Sequence, residues 1–184
     1  MSEPEFVADE EKHLYTLGGK RLWSITDTLA AEGFADYSFL SPTNGDFYKL
    51  RGKAVHLATQ LIDDGRLDKS SLVETVSFNG GTKPWTKGYA EAYERAKTEL
   101  KLSPVIREQA FYDPVYLFAG RPDWYGQTGR GNAIIQIKTG AVEDWVGLQT
   151  AAEQQLLERA GYKVRFRLGL SLRLWRSGLC AHRS

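Results

Sequence analysis

A short apolar β-run at residues 133–138 constrains the fold of this chain most, because it has the length and pattern of a strand and yet carries polar side chains. Side chains alternate between the two faces of a strand. We therefore expect Gln136 and Lys138 to share one face. Ile135 and Ile137 are expected on the other face, which should be the buried one.

An acidic residue precedes this run. Asp123 is expected on a turn, and a Gly-rich loop follows it and leads into the strand. Asp123, Gln136 and Lys138 can therefore converge. An acid and an amide oxygen suit a hard divalent cation, and a lysine can orient water or neutralise developing charge, so the cluster predicts a hydrolase acting on phosphates. The alternative is a chance spacing with a solvated lysine.

The length of 184 residues predicts one domain, 1–184, with a core of its own. No apolar run approaches the length of a membrane span, and the acidic start lacks a basic-then-apolar signal pattern, so we expect a cytoplasmic protein without membrane contact. Cys180 is the only cysteine, which excludes an internal disulfide and argues against a cysteine-based zinc site. Nothing in the sequence indicates the oligomeric state.

The net charge is only +1, but the charges are unevenly distributed. Residues 1–11, in a predicted acidic tail at 1–12, hold five acids and no base, whereas residues 161–184 hold six lysines and arginines and no acid. Arg165, Arg167 and Arg173 are therefore candidates for contacts with DNA phosphates. The alternative is a solvated strand followed by a frayed, basic C-terminal tail at 173–184.

Four segments show helical patterns. A hairpin over Gly18 and Gly19 is expected to lead into a short helix, with Ser24 or Thr26 as its N-cap. A loop is expected from Phe34 to Lys49. The other helices are expected at Arg51 to Asp64, Trp85 to Leu102 and Trp145 to Ala160.

The strand signals complete the expected class. Two β-branched and aromatic runs flank the turn at Asp113-Pro114, and an alternating basic and apolar run near the C-terminus is typical of an exposed strand. The expected strands are Val105 to Phe111, Val115 to Ala119, Ala133 to Lys138 and Lys163 to Leu172. Helices and strands in this order indicate an α/β or α+β protein.

Other polar residues are candidates for the same site. His56 could bind Mn²⁺ or Mg²⁺ or contact phosphate, although a lone helical histidine is more often structural. Glu108 is expected in the middle of a strand, facing either solvent or the site. Gln149 and Glu153 lie four residues apart on one helix face and could hydrogen-bond a phosphate, or belong to a surface helix.

Three large aromatic residues flank the candidate site in the sequence. Trp124, Tyr125 and Trp145 could stack on nucleic-acid bases. Large aromatic side chains next to a sheet are more often part of the core.

Five motifs in this order resemble those of the PD-(D/E)xK nuclease superfamily, specifically its RecB-type exonuclease-like phage and prophage proteins. That group has a G-x-x-x-H helix, a glutamate strand, G-x-x-D, a strand ending in D-x-K-T-G, and a helix with a Gln motif. The corresponding segments here are GKAVH (52–56), Glu108, GRPD (120–123), QIKTG (136–140) and LQTAA (148–152). The resemblance covers residues 13 to 172 and implies a mixed central β-sheet flanked by helices.

The resemblance also implies roles for these residues. Asp123 would be the central ligand of Mg²⁺ or Mn²⁺, His56 and Glu108 would complete or adjust the metal site, and the Ile137 carbonyl would add an oxygen. Lys138 would position the attacking water or stabilise the phosphate. Gln149 would touch the DNA backbone or support Lys138. The implied function is metal-dependent DNA hydrolysis in phage recombination or DNA processing, by an exonuclease or structure-selective enzyme, with a phage recombination or single-strand-binding protein as a partner.

Two positions depart from the family pattern. Gln136 stands where the family has an acid, and Glu153 stands where it often has an aromatic residue. An amide oxygen can ligate a metal but holds Mg²⁺ less well than a carboxylate, so Gln136→Glu is expected to strengthen metal binding. The alternative function is therefore a DNA-binding or partner-binding module on a nuclease scaffold whose catalysis has weakened.

Overall fold

The computed structural model describes residues 4–9, 14–35, 42–175 and 182–183, which form a mixed α/β structure. The strands of these residues are β1 (Phe6–Asp9), β2 (Leu14–Leu17), β3 (Lys20–Arg21), β4 (Trp23–Ser24), β5 (Thr75–Phe78), β6 (Gly81–Pro84), β7 (Ser103–Arg107), β8 (Phe111–Asp113), β9 (Phe118–Gly120), β10 (Trp124–Thr128), β11 (Gly131–Lys138), β12 (Phe166–Ser171) and β13 (His182–Arg183). The helices are α1 (Ile25–Ala31), α2 (Pro42–Asp63), α3 (Lys87–Leu100), α4 (Trp145–Arg159) and the single turn α5 (Leu172–Trp175), with a 3₁₀ turn at Lys69–Ser71.

The central sheet has the strand order β13-β12-β11-β10-β7. β11 runs parallel to β12 and antiparallel to β10, which is itself antiparallel to β7. One face of the sheet packs against α2 and α3, and the other packs against α1 and α4. Helices on both faces give a three-layer arrangement, as α/β proteins require to bury a central sheet.

β11 is buried on both faces, which corrects the expectation of a single buried face. Ile135 and Ile137 belong to the cluster beneath α2 and α3, as expected. Ile134 packs with Leu156 and Leu157 of α4 on the opposite face. Because Gln136 shares that second face, its side chain is covered by α4 and is 0% exposed.

The helices are largely where the sequence predicts them, with one clear difference. α2 begins at Pro42, inside the segment expected to be a loop from Phe34 to Lys49. Proline is compatible with a first helical turn, where the missing N–H has no intrahelical partner, so it marks the helix start here and not a loop. Gly65 follows α2 with φ of +66°, as expected of a glycine that ends a helix.

Several strand boundaries differ from the prediction. The expected Gly-rich loop after Asp123 contains β10, which forms a hairpin with β11. The strand expected from Val105 to Phe111 is interrupted, because β7 ends at Arg107 and β8 begins only at Phe111. β9 follows the turn at Asp113-Pro114 and is shorter than the expected strand from Val115 to Ala119. β12 was expected to be exposed, yet its last four residues are buried. β11 and β13 flank this strand, Leu168 and Leu170 pack in the cluster beneath α2 and α3, and α4 also contacts it.

The N-terminal hairpin is confirmed. β2 and β3 pair across Gly18 and Gly19, and the Ser24 hydroxyl accepts a hydrogen bond from the backbone N–H of Asp27 at 3.4 Å, so Ser24 caps α1. The predicted acidic tail is partly structured, because β1 pairs with β2. Most of the predicted basic tail lies outside the described residues. No helix in the described ranges combines the length and hydropathy needed to cross a membrane.

Candidate metal and phosphate site

A cleft of about 210 Å³ opens at the carboxyl end of β11. It brings together the polar residues expected from five separate segments of the sequence. Its lining includes His56, Glu108, Arg121, Asp123, Gln136, Lys138, Trp145, Gln149 and Glu153, together with Tyr15 and residues 24–26. The cleft is therefore the place where side chains far apart in sequence meet.

Three side chains form a candidate metal site at one end of this cleft. One ligand atom from each of His56, Glu108 and Asp123 lies within 4.8 Å of the other two. Nδ1 of His56 is 2.7 Å from Oε1 of Glu108 and 3.7 Å from Oδ1 of Asp123. Nε2 of the same ring is 3.1 Å from the Ile137 carbonyl oxygen. The two carboxyl groups thus lie near one ring nitrogen of His56, and the Ile137 carbonyl lies near the other.

Each member is held by a different element. His56 lies on α2, four residues after Gly52 and so on the same side of the helix. Asp123 precedes β10, and its Oδ2 accepts a hydrogen bond from the Ile137 N–H at 2.7 Å, which fixes the carboxylate against β11. Because β7 pairs with β10, the residues that flank these two strands, Glu108 and Asp123, become neighbours.

Glu108 is placed by an unusual backbone conformation and not by the strand in which it was expected. β7 ends at Arg107, and Glu108 has φ of +48°, in the left-handed region that few non-glycine residues adopt. Its backbone N–H still donates to the Asp123 carbonyl at 3.3 Å. The strained turn directs the carboxylate to His56 and Arg121, whose Nε is 3.1 Å from Glu108 Oε2.

The charges in this cluster shift the titration of its members. Burial opposes protonation of His56, but the negative charge of Asp123 and the hydrogen bond to Glu108 outweigh it and raise the pKa of the imidazole to about 9. Burial raises the pKa of Asp123 above its usual range, while His56 and Lys138 act in the opposite direction. A protonated imidazole is therefore the favoured state of His56 at neutral pH.

The other end of the cleft holds a closed hydrogen-bond network. Gln136 Nε2 donates to both carboxylate oxygens of Glu153, at 2.9 and 3.0 Å. Gln149 Nε2 donates to Glu153 Oε1 at 2.9 Å. Lys138 Nζ donates to the amide oxygens of Gln136 and Gln149, at 3.2 and 3.5 Å. The two glutamines thus link the ammonium to the carboxylate without a direct contact between the two charges.

The sequence did not predict that Glu153 is buried within this network. It is 1% exposed, so the interpretation of α4 as a surface helix is wrong for this face. Burial and the nearby charge of Asp123 raise the pKa of Glu153 to about 8, although the amide donors and Lys138 favour the ionised form. Its position four residues after Gln149 was the available signal, but only the packing of α4 on β11 reveals the contact with Gln136.

The aromatic residues divide between core and site. Trp124 is 1% and Tyr125 is 3% exposed, so both are core residues and are not available to stack on bases. Trp145 lines the cleft, and Lys138 Nζ lies 5.2 Å from the centre of its ring, within range of a cation–π interaction. Gly120, before the Asp123 turn, allows α1 to approach closely, because a Cβ there would overlap Ile25.

The three basic residues predicted to contact DNA do not converge on the cleft. Arg165 is exposed and lies beside Gly131, at the start of β11 and so at the far end of this strand from Lys138. Arg167 donates to the Gly147 carbonyl at 3.3 Å. Arg173 is exposed on α5, which follows the end of β12 that pairs with Lys138.

Comparisons of the chain with protein-family models, with curated proteins and with solved structures found no match. The fold and the cleft by themselves define a mixed α/β protein with a His-Glu-Asp cluster beside the partly buried hydrogen-bond network of Lys138.

Proposed function

We propose that the chain is a metal-dependent nuclease of the PD-(D/E)xK type. The single observation that carries the proposal is the convergence of His56, Glu108 and Asp123 within 4.8 Å at the same end of the sheet as Lys138. An acidic metal site beside a lysine is suited to phosphodiester hydrolysis, because charge develops on the phosphoryl oxygens during the reaction. The five motifs that resemble the superfamily contribute the residues of this cleft.

The donor set fits a hard divalent cation. Carboxylate oxygens with one imidazole nitrogen are suitable ligands for Mn²⁺ or Mg²⁺. The Ile137 carbonyl oxygen lies 3.1 Å from Nε2, the ring nitrogen that does not face the two carboxyl groups. His56, Glu108 and Asp123 would hold the ion. When bound, such an ion supplies Lewis acidity toward a phosphate oxygen.

The other side chains of the cleft have separate proposed roles. Lys138 is held by two amide oxygens and by the Trp145 ring, so its ammonium is oriented for a phosphoryl oxygen or an attacking water. Gln149 contacts both this lysine and the Glu153 carboxyl group, so its proposed role is to position Lys138. Ordered donors of this kind stabilise developing charge without reorganising during the reaction.

Glu153 supplies the carboxyl group that the strand lacks. The acid expected at position 136 is a glutamine, and the carboxylate that contacts this glutamine comes from α4. The pair therefore keeps one carboxyl group next to Lys138, displaced from the strand to the helix. With this arrangement the chain remains a candidate enzyme despite Gln136.

The second candidate is a DNA-binding module with weakened catalysis. The observation that favours it is also at Gln136, because its amide nitrogen is bound to Glu153 and its oxygen accepts from Lys138. A glutamine engaged at both ends is a poor metal ligand. In this case the cleft would bind DNA and leave it intact.

Degradation of an end-labelled duplex and of a single strand, with Mg²⁺, Mn²⁺ or EDTA, separates the two candidates. Cleavage that needs the metal and is lost in Lys138→Met supports the nuclease. Lys101→Met is a matched control, since Lys101 lies on the exposed C-cap of α3 and does not line the cleft. Binding of DNA with no cleavage in either metal would overturn the proposal and support the second candidate.

A further inference from the structure

A cationic cluster, separate from the His-Glu-Asp cluster, lies beside the cleft, on the side formed by α2, α3 and the β5-β6 hairpin. Its centre is Arg51, which is only 8% exposed. Nη2 of Arg51 donates to the Thr139 hydroxyl at 3.4 Å, and Nε is buried without a hydrogen-bond partner. Thr139 directly follows Lys138, so the guanidinium lies close to the end of β11 that carries the cleft.

Aromatic rings surround the Arg51 guanidinium. Its carbon Cζ lies 5.7 Å from the ring centre of Phe47, 4.9 Å from that of Tyr48 and 5.2 Å from that of Tyr89. Contacts of this length with aromatic faces stabilise a cation. These contacts do not satisfy the N–H groups of the guanidinium, because the aromatic faces provide no hydrogen-bond acceptor atoms.

A lysine shares the same rings. Lys83 on β6 places Nζ 5.4 Å from the ring centre of Phe47, 5.1 Å from that of Tyr48 and 4.9 Å from that of Phe78. Its Nζ also donates to the Tyr48 hydroxyl at 3.2 Å. Because both cations lie about 5 Å from the centre of the Tyr48 ring, they are within about 10 Å of each other.

Neither cation has a carboxylate partner within the described part of the chain. Other lysines of the described residues do form ion pairs, including Lys69 with Glu94, Lys87 with Glu74 and Lys97 with Asp63. Placing two positive charges together, one of them buried, without an acid costs free energy that aromatic contacts only partly offset. Two unpaired cations with free donors are a chemical match for phosphate oxygens.

We propose that Arg51 and Lys83 form a subsite for a phosphodiester group of a bound nucleic-acid strand, next to the catalytic cleft. The inference rests on the proposed function in one respect, namely that the cleft takes a nucleic acid. Arg51 binds the phosphate nearer to Thr139, and Lys83 binds the strand farther out, on the β5-β6 hairpin. The aromatic rings hold both side chains in place.

The test is DNA binding in EDTA, where cleavage does not interfere, by fluorescence anisotropy of a 20-base strand across a salt series. Lys83→Gln should weaken binding about 3- to 10-fold at low salt and reduce the slope of log affinity against log salt by about one. Lys87→Gln is the matched control, because Lys87 is a nearby exposed lysine 3.9 Å from Glu74, and it should leave the slope unchanged.

Arg51→Lys tests the buried member while keeping its charge. Affinity should fall several-fold with little change of the salt slope, because lysine lacks the planar set of donors. Circular dichroism checks that this variant is folded, and Lys83→Gln does not depend on that result because Lys83 is only half-buried. A salt slope in Lys83→Gln equal to that of the wild type would overturn the subsite.

Two further outcomes are informative. Saturable binding of inorganic phosphate that is lost in Lys83→Gln, with an unchanged DNA slope, would assign the pair to a free phosphate and overturn the proposal. Lys83-dependent DNA binding in a protein that never cleaves would support the subsite and remove the nuclease assignment. Cleavage by a protein whose DNA binding does not depend on Lys83 would support the nuclease assignment and overturn the subsite.

Discussion

Gln136 on β11 donates to both carboxylate oxygens of Glu153 on α4, at 2.9 and 3.0 Å, and neither side chain is more than 1% exposed. This contact joins the two positions at which the sequence departs from the nuclease pattern. At these two positions the carboxyl group lies on the helix and the amide lies on the strand. A carboxyl group near Lys138 is thus retained.

This contact changes the expected effect of Gln136→Glu. From the sequence, the substitution should strengthen metal binding, but in the fold it places a second carboxyl against Glu153 without a donor between them. We expect the free energy of unfolding at pH 8.5 to fall by about 2–4 kcal/mol. Chemical denaturation of the wild type and the variant measures this difference.

The exchanged pair is the control for that prediction. Combining Gln136→Glu with Glu153→Gln reverses the direction of the same hydrogen bonds, so stability should return to within about 1 kcal/mol of the wild type. In a nuclease, the double variant should also cleave at lower Mg²⁺ concentration, because the carboxylate is then on the strand. Additive losses in the double variant would show that the two side chains do not act as a pair.

Glu153 should give the protein a pH-dependent stability. Its pKa of about 8 in the folded state lies above that of an unfolded glutamate, so folding is favoured most when the group is protonated. The contribution is complete below about pH 4.5 and is lost as the pH rises toward 8. The free energy of unfolding of the wild type should therefore fall relative to that of Glu153→Gln as the pH rises over this range. Parallel curves would contradict the assignment.

Metal binding should release protons from the cluster. His56 has a pKa of about 9 in the absence of metal, and only its neutral imidazole can ligate an ion. Mn²⁺ affinity should therefore rise up to about tenfold per pH unit between pH 7 and 9. Calorimetric titration in two buffers of different ionisation enthalpy measures both the affinity and the protons released. A pH-independent affinity, equal in His56→Gln, would exclude His56 as a ligand.

Asp123→Asn should lower the rate of DNA cleavage without unfolding the protein. An asparagine oxygen can still accept the Ile137 N–H that now binds Asp123 Oδ2 at 2.7 Å, so the fold should persist. The lost anionic charge should lower cleavage by about a hundredfold or more. The rate of duplex cleavage and the melting temperature are measured together. Cleavage near the wild-type rate in a folded variant would remove Asp123 from the site.

The amino-acid sequence alone determined the elements that depend on local patterns. The strand with Gln136 and Lys138, the helix α3, the Gly18-Gly19 hairpin and the Ser24 cap all follow from periodicity and from the conformations that single residues prefer. The order of the motifs also indicated which polar residues would meet at the cleft.

Only the tertiary structure decided how the candidate site is completed. The positive φ of Glu108 depends on the pairing of β7 with β10, which no local pattern encodes. The burial of Gln136 and Glu153 depends on α4 covering the second face of β11. Alternation along a strand shows which side chains share a face, but it does not show what packs on that face. The contact between these two residues, and with it the position of the missing carboxyl group, therefore exists only in the folded chain.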